Sequence, residues 1–330
     1  MVLRPTISSV APLKAVEGGR VTLQGHGFPV DKLPDITVGD QPARVLFASS
    51  ARIVIALPPE LESGARPIRI EDVVGETVYV SVGGPWATGL HQVDNPVFDP
   101  DGNLYVTYSG SRGQEAPVSI FRVTPAGTRE PYVSGIVNPT SMAIGPDGRL
   151  YVSSRFEGAV YRVNADGTHE RIASDLGVAC GLAFDPDGTL YVGDRSGTIF
   201  RVKNGAAETF ATLPASVAAF HLAISPWGEL FVSAPTLASY DHVYRINKEG
   251  GVRSLLTPFG RPQGLAFSPD EGILHVVDAL AGGSGLYRLP DLDGDPELVA
   301  TGSAVIGVAF GPEGELAITS NETAYRFDVI

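Results

Sequence analysis

The side chains of this chain that could do chemistry together are few and far apart: Asp94 and Asn95, Ser141, Cys180, His221 and Gln263. Asp94, Asn95 and Gln263 are the oxygen donors on offer to a metal, although one carboxylate with two amides is a poor cage for a hard divalent cation such as calcium. A histidine within hydrogen-bond reach of a carboxylate can serve as a general base, which pairs His221 with Asp94 as catalytic candidates. Cys180, the single cysteine, becomes a nucleophile only where a base or a positive charge stabilises its thiolate. Otherwise it is a small buried apolar group. These residues can meet only if the fold gathers positions separated by long stretches of chain.

A repeat that would do so is present. One turn phrase returns six times, as Asp99-Pro100-Asp101-Gly102, Gly145-Pro146-Asp147-Gly148, Asp185-Pro186-Asp187-Gly188, Ser225-Pro226-Trp227-Gly228, Ser268-Pro269 through Gly272, and Gly311-Pro312-Glu313-Gly314. Proline fixes φ at the second position and glycine supplies the positive φ that ends a tight turn. An alternating run follows each turn, as in Leu104-Tyr105-Val106, and then a run with arginine at a fixed place: Arg122, Arg162, Arg201, Arg245, Arg288 and Arg326. Adding a strand before the turn and a fourth run such as Glu170-Arg171-Ile172-Ala173 gives four strands in about 40 residues, the size of one propeller blade. Six such units predict six blades.

The sixth unit ends one strand short at Ile330, whereas Trp86-Ala87-Thr88-Gly89-Leu90, ahead of the first unit, nearly repeats Val299 to Ser303. An unpaired edge would invite other chains to add a strand, so residues of about 85–90 are expected to close the ring as the outer strand of the last blade.

Aligning the units on their turns puts Asp94, Thr140, Cys180, Phe220, Gln263 and Ile306 in one column at the start of the innermost strands, where a propeller opens its central channel. The neighbouring column is Asn95, Ser141, Gly181, His221, Gly264 and Gly307. His221 is the one histidine expected to face the channel; His26, His91, His169, His242 and His275 fall in turns or on other strands. Asn95, Ser141 and Gln263, with Arg155 and Arg195 on the rim, are the expected ligand-binding set. Asp194 and Asp278, at the ends of second strands, read as caps that accept backbone N–H groups. The six repeated arginines read as scaffold, their stems laid on the blade and their heads paired with the next loop. The irregular rim segments Arg155-Phe156-Glu157, Tyr240-Asp241-His242 and Ser109 to Pro117 are where a ligand or partner contact could be built.

The turn phrase followed by Leu-Tyr-Val and a Tyr-Arg-Val strand resembles the NHL-repeat propellers and the related regucalcin/gluconolactonase propellers, over about residues 85–330. That resemblance implies a metal-dependent hydrolase site at the channel mouth. Asp94, in Asp94-Asn95-Pro96-Val97-Phe98, stands where the gluconolactonase family has glutamate, and Gln263-Gly264 stands where it has Asn-Gly. The position of the family's aspartate holds Ile306, and neutral ligands repay little of a hard cation's lost hydration. No match to the His and Glu combination of a virginiamycin-lyase-like site is found.

Residues 1–82 lack the period. The series Pro5 to Pro12, then Gly18-Gly19 through Val21-Thr22-Leu23-Gln24-Gly25-His26-Gly27-Phe28, then Val38-Gly39-Asp40, resembles the IPT/TIG immunoglobulin-like domain. Short alternating strands between Gly and Pro turns agree with a β-sandwich. Such domains are generally spacers or interaction modules. The expected fold is therefore all-β, with an immunoglobulin-like sandwich over 1–82 and a six-bladed propeller over 83–330.

Composition narrows the partners. A formal net charge of -13, with 18% of residues charged, repels phosphate backbones and argues against nucleic acid. No apolar run has the length of a bilayer-spanning helix. Met1-Val2-Leu3-Arg4 shows no signal peptide, although the tandem architecture implies an extracytoplasmic or cell-surface setting. Two functions remain in view. The first is a non-enzymatic scaffold, with no cofactor, that offers its propeller face to a protein partner, a larger assembly or a small molecule. The second is a lactone hydrolase or a lyase with a calcium-type ion at Asp94, Asn95 and Gln263. The missing carboxylate favours the first.

Overall fold

The computed structural model describes residues 5–29, 31–71, 73, 77–280 and 283–327, and every regular element among them is a β-strand. From residue 84 onward the strands form six antiparallel four-stranded units arranged as the blades of a propeller. Blade 1 runs from Val97–Phe98 to Arg129–Val133, blade 2 from Pro139–Ile144 to His169–Ala173, and blade 3 from Ala179–Phe184 to Ala206–Thr212. Blade 4 runs from His221–Ile224 to Val252–Phe259 and blade 5 from Pro262–Phe267 to Glu297–Thr301.

The repeated phrase builds each blade from its turn outward. Asp99 Oδ1 accepts the N–H groups of Asp101 and Asn103, each at 2.9 Å, and Gly102 takes φ 79°, a conformation that favours glycine. The Tyr105 hydroxyl donates to Asp99 Oδ2 at 3.0 Å, so the tyrosine of the Leu-Tyr-Val run braces the turn that precedes it. Tyr191 repeats this with Asp185 at 3.2 Å. In blade 5 the place of that tyrosine is taken by His275, whose Nδ1 lies 3.1 Å from the Ile273 carbonyl oxygen. The alternate faces pack between blades, where Leu104, Ile120, Ile199, Phe220 and Phe231 are fully buried.

The recurring arginines are scaffold; Arg326 reaches the next blade's loop at Pro125 as expected, but four of the others take a different partner. Arg122, Arg162, Arg201 and Arg288 sit directly across the third and fourth strands from Glu130, Glu170, Glu208 and Glu297. Each ion pair is thus a cross-strand contact fixed by antiparallel register. Arg245 turns instead to Glu229 beside its own turn, with Nε at 2.7 Å.

Blade 6 consists of Val305–Phe310, Leu316–Ser320 and Thr323–Phe327, with Gly84–Thr88 as its outer strand, antiparallel to Thr323–Phe327. Trp86 fastens this seam. Its ring is buried, lies 4.6 Å below the Arg326 guanidinium and contacts Phe98 of blade 1 at 5.7 Å. Arg326 also donates to the Pro125 carbonyl at 2.8 Å, so the last blade is tied to the first by side chains as well as by a strand.

The N-terminal segment is a sandwich. One sheet orders Thr6–Ala11, Arg20–His26, Arg52–Ala56 and Arg44–Ala48; the other contains Val78–Val82, Gly64–Ile70, Ile36–Val38 and Gln41–Pro42. Val21, Leu23, Ile53, Ile55, Ile68 and Val80 meet between them, as strict alternation along each strand requires. The second sheet does not stop at the domain's edge. Lys14–Ala15 pairs in parallel with both Val78–Val82 and Glu297–Thr301, making blade 5 and the sandwich one nine-stranded sheet.

Candidate functional site

Three of the sequence candidates meet in the channel. The Asp94 carboxylate, from the segment leading into blade 1, hydrogen-bonds to His221 Nδ1 on the opposite blade 4. On the other side of the ring, His221 Nε2 lies 3.2 Å from Gln263 Oε1 of blade 5. His221 is 0% exposed and Asp94 2%. A carboxylate and an imidazole from opposite blades can touch only where the channel is narrow, and here their contact plugs it.

Asp94 is held rigidly. Gln92 donates from Nε2 to the Asp94 carbonyl at 2.7 Å and receives the Thr107 N–H at 2.7 Å on Oε1, while the Asn95 N–H donates to Asp94 Oδ1 at 2.7 Å. Gln92, fully buried, was not evident in the sequence because it precedes the repeat's own turn signal.

The alignment placed Phe220 in the channel column, and the structure corrects this. Phe220 is 0% exposed in the apolar cluster between blades 3 and 4, with Ile199, Leu213 and Leu222. The innermost strands of blades 2, 3, 5 and 6 carry a register shift near their start, whereas that of blade 4 pairs without one from His221 onward. A bulge re-aims the side chains around it, so a column drawn through bulged and unbulged strands slips, and His221 rather than Phe220 points at Asp94.

The amides and hydroxyl expected to meet a ligand are engaged in holding the ring. Asn95 Nδ2 donates to the Leu265 carbonyl and Asn95 Oδ1 accepts the Val308 N–H, both at 2.9 Å, so one side chain links blade 1 to blades 5 and 6. Glycine at 264 permits this approach, since a Cβ there would lie 2.1 Å from Asn95 Oδ1. Ser141 likewise accepts the Leu182 N–H at 3.0 Å, joining blade 2 to blade 3.

This spending of oxygens decides how well the residues fit a metal. Asp94 Oδ1 is taken by His221 and the Asn95 N–H, Asn95 Oδ1 by Val308, and Gln263 Oε1 by His221. The candidate set keeps too few free oxygens for a cation that takes six to eight, and among the described residues no cluster of three or more His, Cys, Asp or Glu could hold an ion. The set does not fit a hard divalent ion in this arrangement.

Cys180 lies in the same part of the channel, 2% exposed. Burial pushes its thiol pKa up to about 12, outweighing the lowering influence of a Phe220 backbone contact and of Arg195 and Arg155. A thiol held in that state is not an activated nucleophile. Asp194 and Asp278 are caps: Asp194 Oδ1 accepts the N–H groups of Val178 at 2.8 Å and Ser196 at 3.1 Å, and Asp278 those of Gly260, Arg261 and Leu280.

Arg155 and Arg195 stand at equivalent positions on the rim, each just after a second strand. The Arg155 N–H donates to the Asn138 carbonyl at 3.3 Å and the Arg195 N–H to the Val178 carbonyl at 3.1 Å, which fixes both beside the residue that leads into an innermost strand. Burial, with Arg195 and Arg112 nearby, holds the Arg155 pKa below its usual value. His91, assigned to a turn, borders this mouth through a bridge to Tyr108, and burial together with Arg155 lowers its pKa. Asn138 was missed. It adopts φ 48°, donates to the Ser111 carbonyl at 2.9 Å and accepts the Gly113 N–H at 2.7 Å, folding the Ser109 to Pro117 loop against blade 2.

Below the plug, toward the turns, the channel widens into a cavity of about 660 Å³ lined by Val97, Met142, Phe184, Leu222, Phe267 and Phe310 among others. It carries none of the titratable candidates.

Comparisons with known proteins agree with this architecture. Residues 5–84 match the IPT/TIG domain and residues 181–202 match the family described as strictosidine synthase-like, N-terminal. No curated protein matches the chain. Among solved structures, an auxiliary nutrient binding protein from Bacteroides ovatus is similar at 13% identity and TM-score 0.56, covering 98% of each chain. A provisionally assigned gluconolactonase is similar at 20% identity and TM-score 0.59, over 73% of this chain and 90% of that one. Virginiamycin B lyase from Staphylococcus aureus is similar at 14% identity and TM-score 0.53, over 99% of both. The chain carries an N-terminal IPT/TIG domain followed by a propeller similar in fold to gluconolactonase-like and virginiamycin B lyase-like propellers.

Proposed function

We propose that this protein is a binding protein that captures a small-molecule ligand at the channel mouth, with the IPT/TIG domain as a rigid mount for docking to a larger assembly. One observation carries the reading. The histidine–carboxylate pair that the described residues form in the channel is sealed, with Asp94 on one imidazole nitrogen, Gln263 on the other, and no exposed surface on His221. A general base must offer a free lone pair to a substrate proton, and this one offers none. Solved relatives in fold described as auxiliary nutrient binding proteins span both domains, which supports the same reading. An extracytoplasmic or cell-surface setting goes with it, since a nutrient is captured before it enters a cell.

The alternative is a metal-dependent lactone hydrolase or a lyase, favoured by the similarity in fold to propellers of those names. Thermal denaturation with and without calcium, followed by a lactone panel, separates the two. The binding reading expects no calcium-dependent shift and no turnover. Stoichiometric stabilisation by calcium that disappears in Asp94→Ala, together with lactone hydrolysis, would replace it with the enzyme.

A further inference from the structure

The sequence from residue 83 onward contains fourteen arginines. Ten donate to or pair with a partner, typically a glutamate across the blade, as Arg201 does with Glu208. The four whose guanidinium groups have no hydrogen bond or ion pair among the described residues are Arg112, Arg155, Arg195 and Arg261, and all four stand at one end of the channel. Arg155 and Arg195 occupy equivalent rim positions on blades 2 and 3. Arg261 leads into the innermost strand of blade 5, its carbonyl accepting the Ala279 N–H at 3.0 Å. Arg112 rides on the loop that Asn138 holds against blade 2.

Among the described residues no carboxylate forms an ion pair with them. Its buried carboxylates Asp94, Asp194, Asp241 and Asp278 are turned onto His221, backbone N–H groups or Thr236. Glu157 faces Arg171 at 3.8 Å. In a chain of formal net charge -13, four unpaired cations gathered around one opening have no folding role that a neutral side chain could not fill. Arg155 is half-buried and Arg112, Arg195 and Arg261 are exposed, and guanidinium groups left without a partner are donors for carboxylate, phosphate or sulfate oxygens.

Resting on the binding reading above, we propose that the mouth takes a small multivalent anion, held chiefly between Arg155 and Arg195, with Arg112 and Arg261 closing round it. The shared chemistry is two or more anionic oxygen groups on one compact molecule. A group of cations at one opening of an acidic protein also discriminates: it draws such ligands to the opening while the rest of the surface repels them.

Calorimetric titration of the full chain at low salt with citrate, inorganic phosphate, sulfate and glucose tests this, the first three separating carboxylate, phosphate and sulfate recognition. Saturable binding of at least one anion is expected, weakened about ten-fold or more by Arg155→Gln or Arg195→Gln and lost in the double variant. Arg288→Gln, which removes an arginine paired with Glu297, leaves affinity unchanged, and Arg155→Lys restores part of it. Circular dichroism of each variant excludes misfolding as the cause. Equal weakening by Arg288→Gln, or no anion binding at all, overturns the proposal. Glucose binding that survives the double variant would overturn the anion while leaving the binding reading intact.

Discussion

His275 shows how a single substitution within the repeat changes a physical property. It occupies the place filled by Tyr105, Tyr191 and Phe231 in other blades, its ring 4.9 Å from that of Phe310. Burial lowers its pKa from 6.5, with Arg288 adding to the effect and the Ile273 carbonyl and Asp270 opposing it. The folded protein therefore favours the neutral ring, whereas the unfolded chain takes up a proton near pH 6.5. The stability this histidine contributes is intact above the unfolded value and is lost as pH falls through the lower folded value. His91, lowered by burial and by Arg155, acts in the same direction. The melting temperature should fall between pH 7 and pH 5, less steeply in His275→Phe than in the parent; equal slopes would mean that other groups carry the acid sensitivity.

At the scale of elements, the borrowed strand Gly84–Thr88 is the most exacting feature of the ring. Thr323–Phe327 would be an exposed edge without it, and Trp86 supplies the apolar mass that seals blade 6 against Phe98. Trp86→Ala removes that mass from a buried site and should cost about 3–5 kcal/mol, read by urea unfolding. The variant should also associate through the loosened edge, visible by light scattering. A loss well under that range, with no association, would show that backbone pairing alone closes the ring. The blades also show why the turn phrase was so readable: Asp99 and Tyr105 are six residues apart and bond to each other, so the whole device is local.

Across the whole molecule, the two domains are joined by more than a linker. Lys14–Ala15 hydrogen-bonds on one side to the sandwich and on the other to blade 5, and the Arg20 N–H reaches Thr301 Oγ1 at 3.1 Å. A shared sheet transmits unfolding between its halves, so calorimetry should show one cooperative transition rather than two. Two separated transitions would show that the parallel pairing is too weak to couple them. A propeller mounted this rigidly presents its mouth in a fixed direction relative to the IPT/TIG domain, which is what the proposed capture role requires.

Local features were legible in the residues. Period, turns, strand alternation and the seam all depend on neighbours within one unit or on a copy of a phrase elsewhere, and short-range sterics and hydrogen bonds write those into the sequence. The meeting of Asp94, His221 and Gln263 was visible as a possibility because equivalent positions in a ring converge. That Phe220, set in the channel column beside the expected His221, would turn into the apolar core was not, since a bulge present in four innermost strands is missing from this one. The same limit hid the spent oxygens of Asn95 and the unpaired charge at the mouth. Whether a polar group is satisfied depends on atoms that distant strands bring within about 3 Å, and no spacing along the chain records that distance.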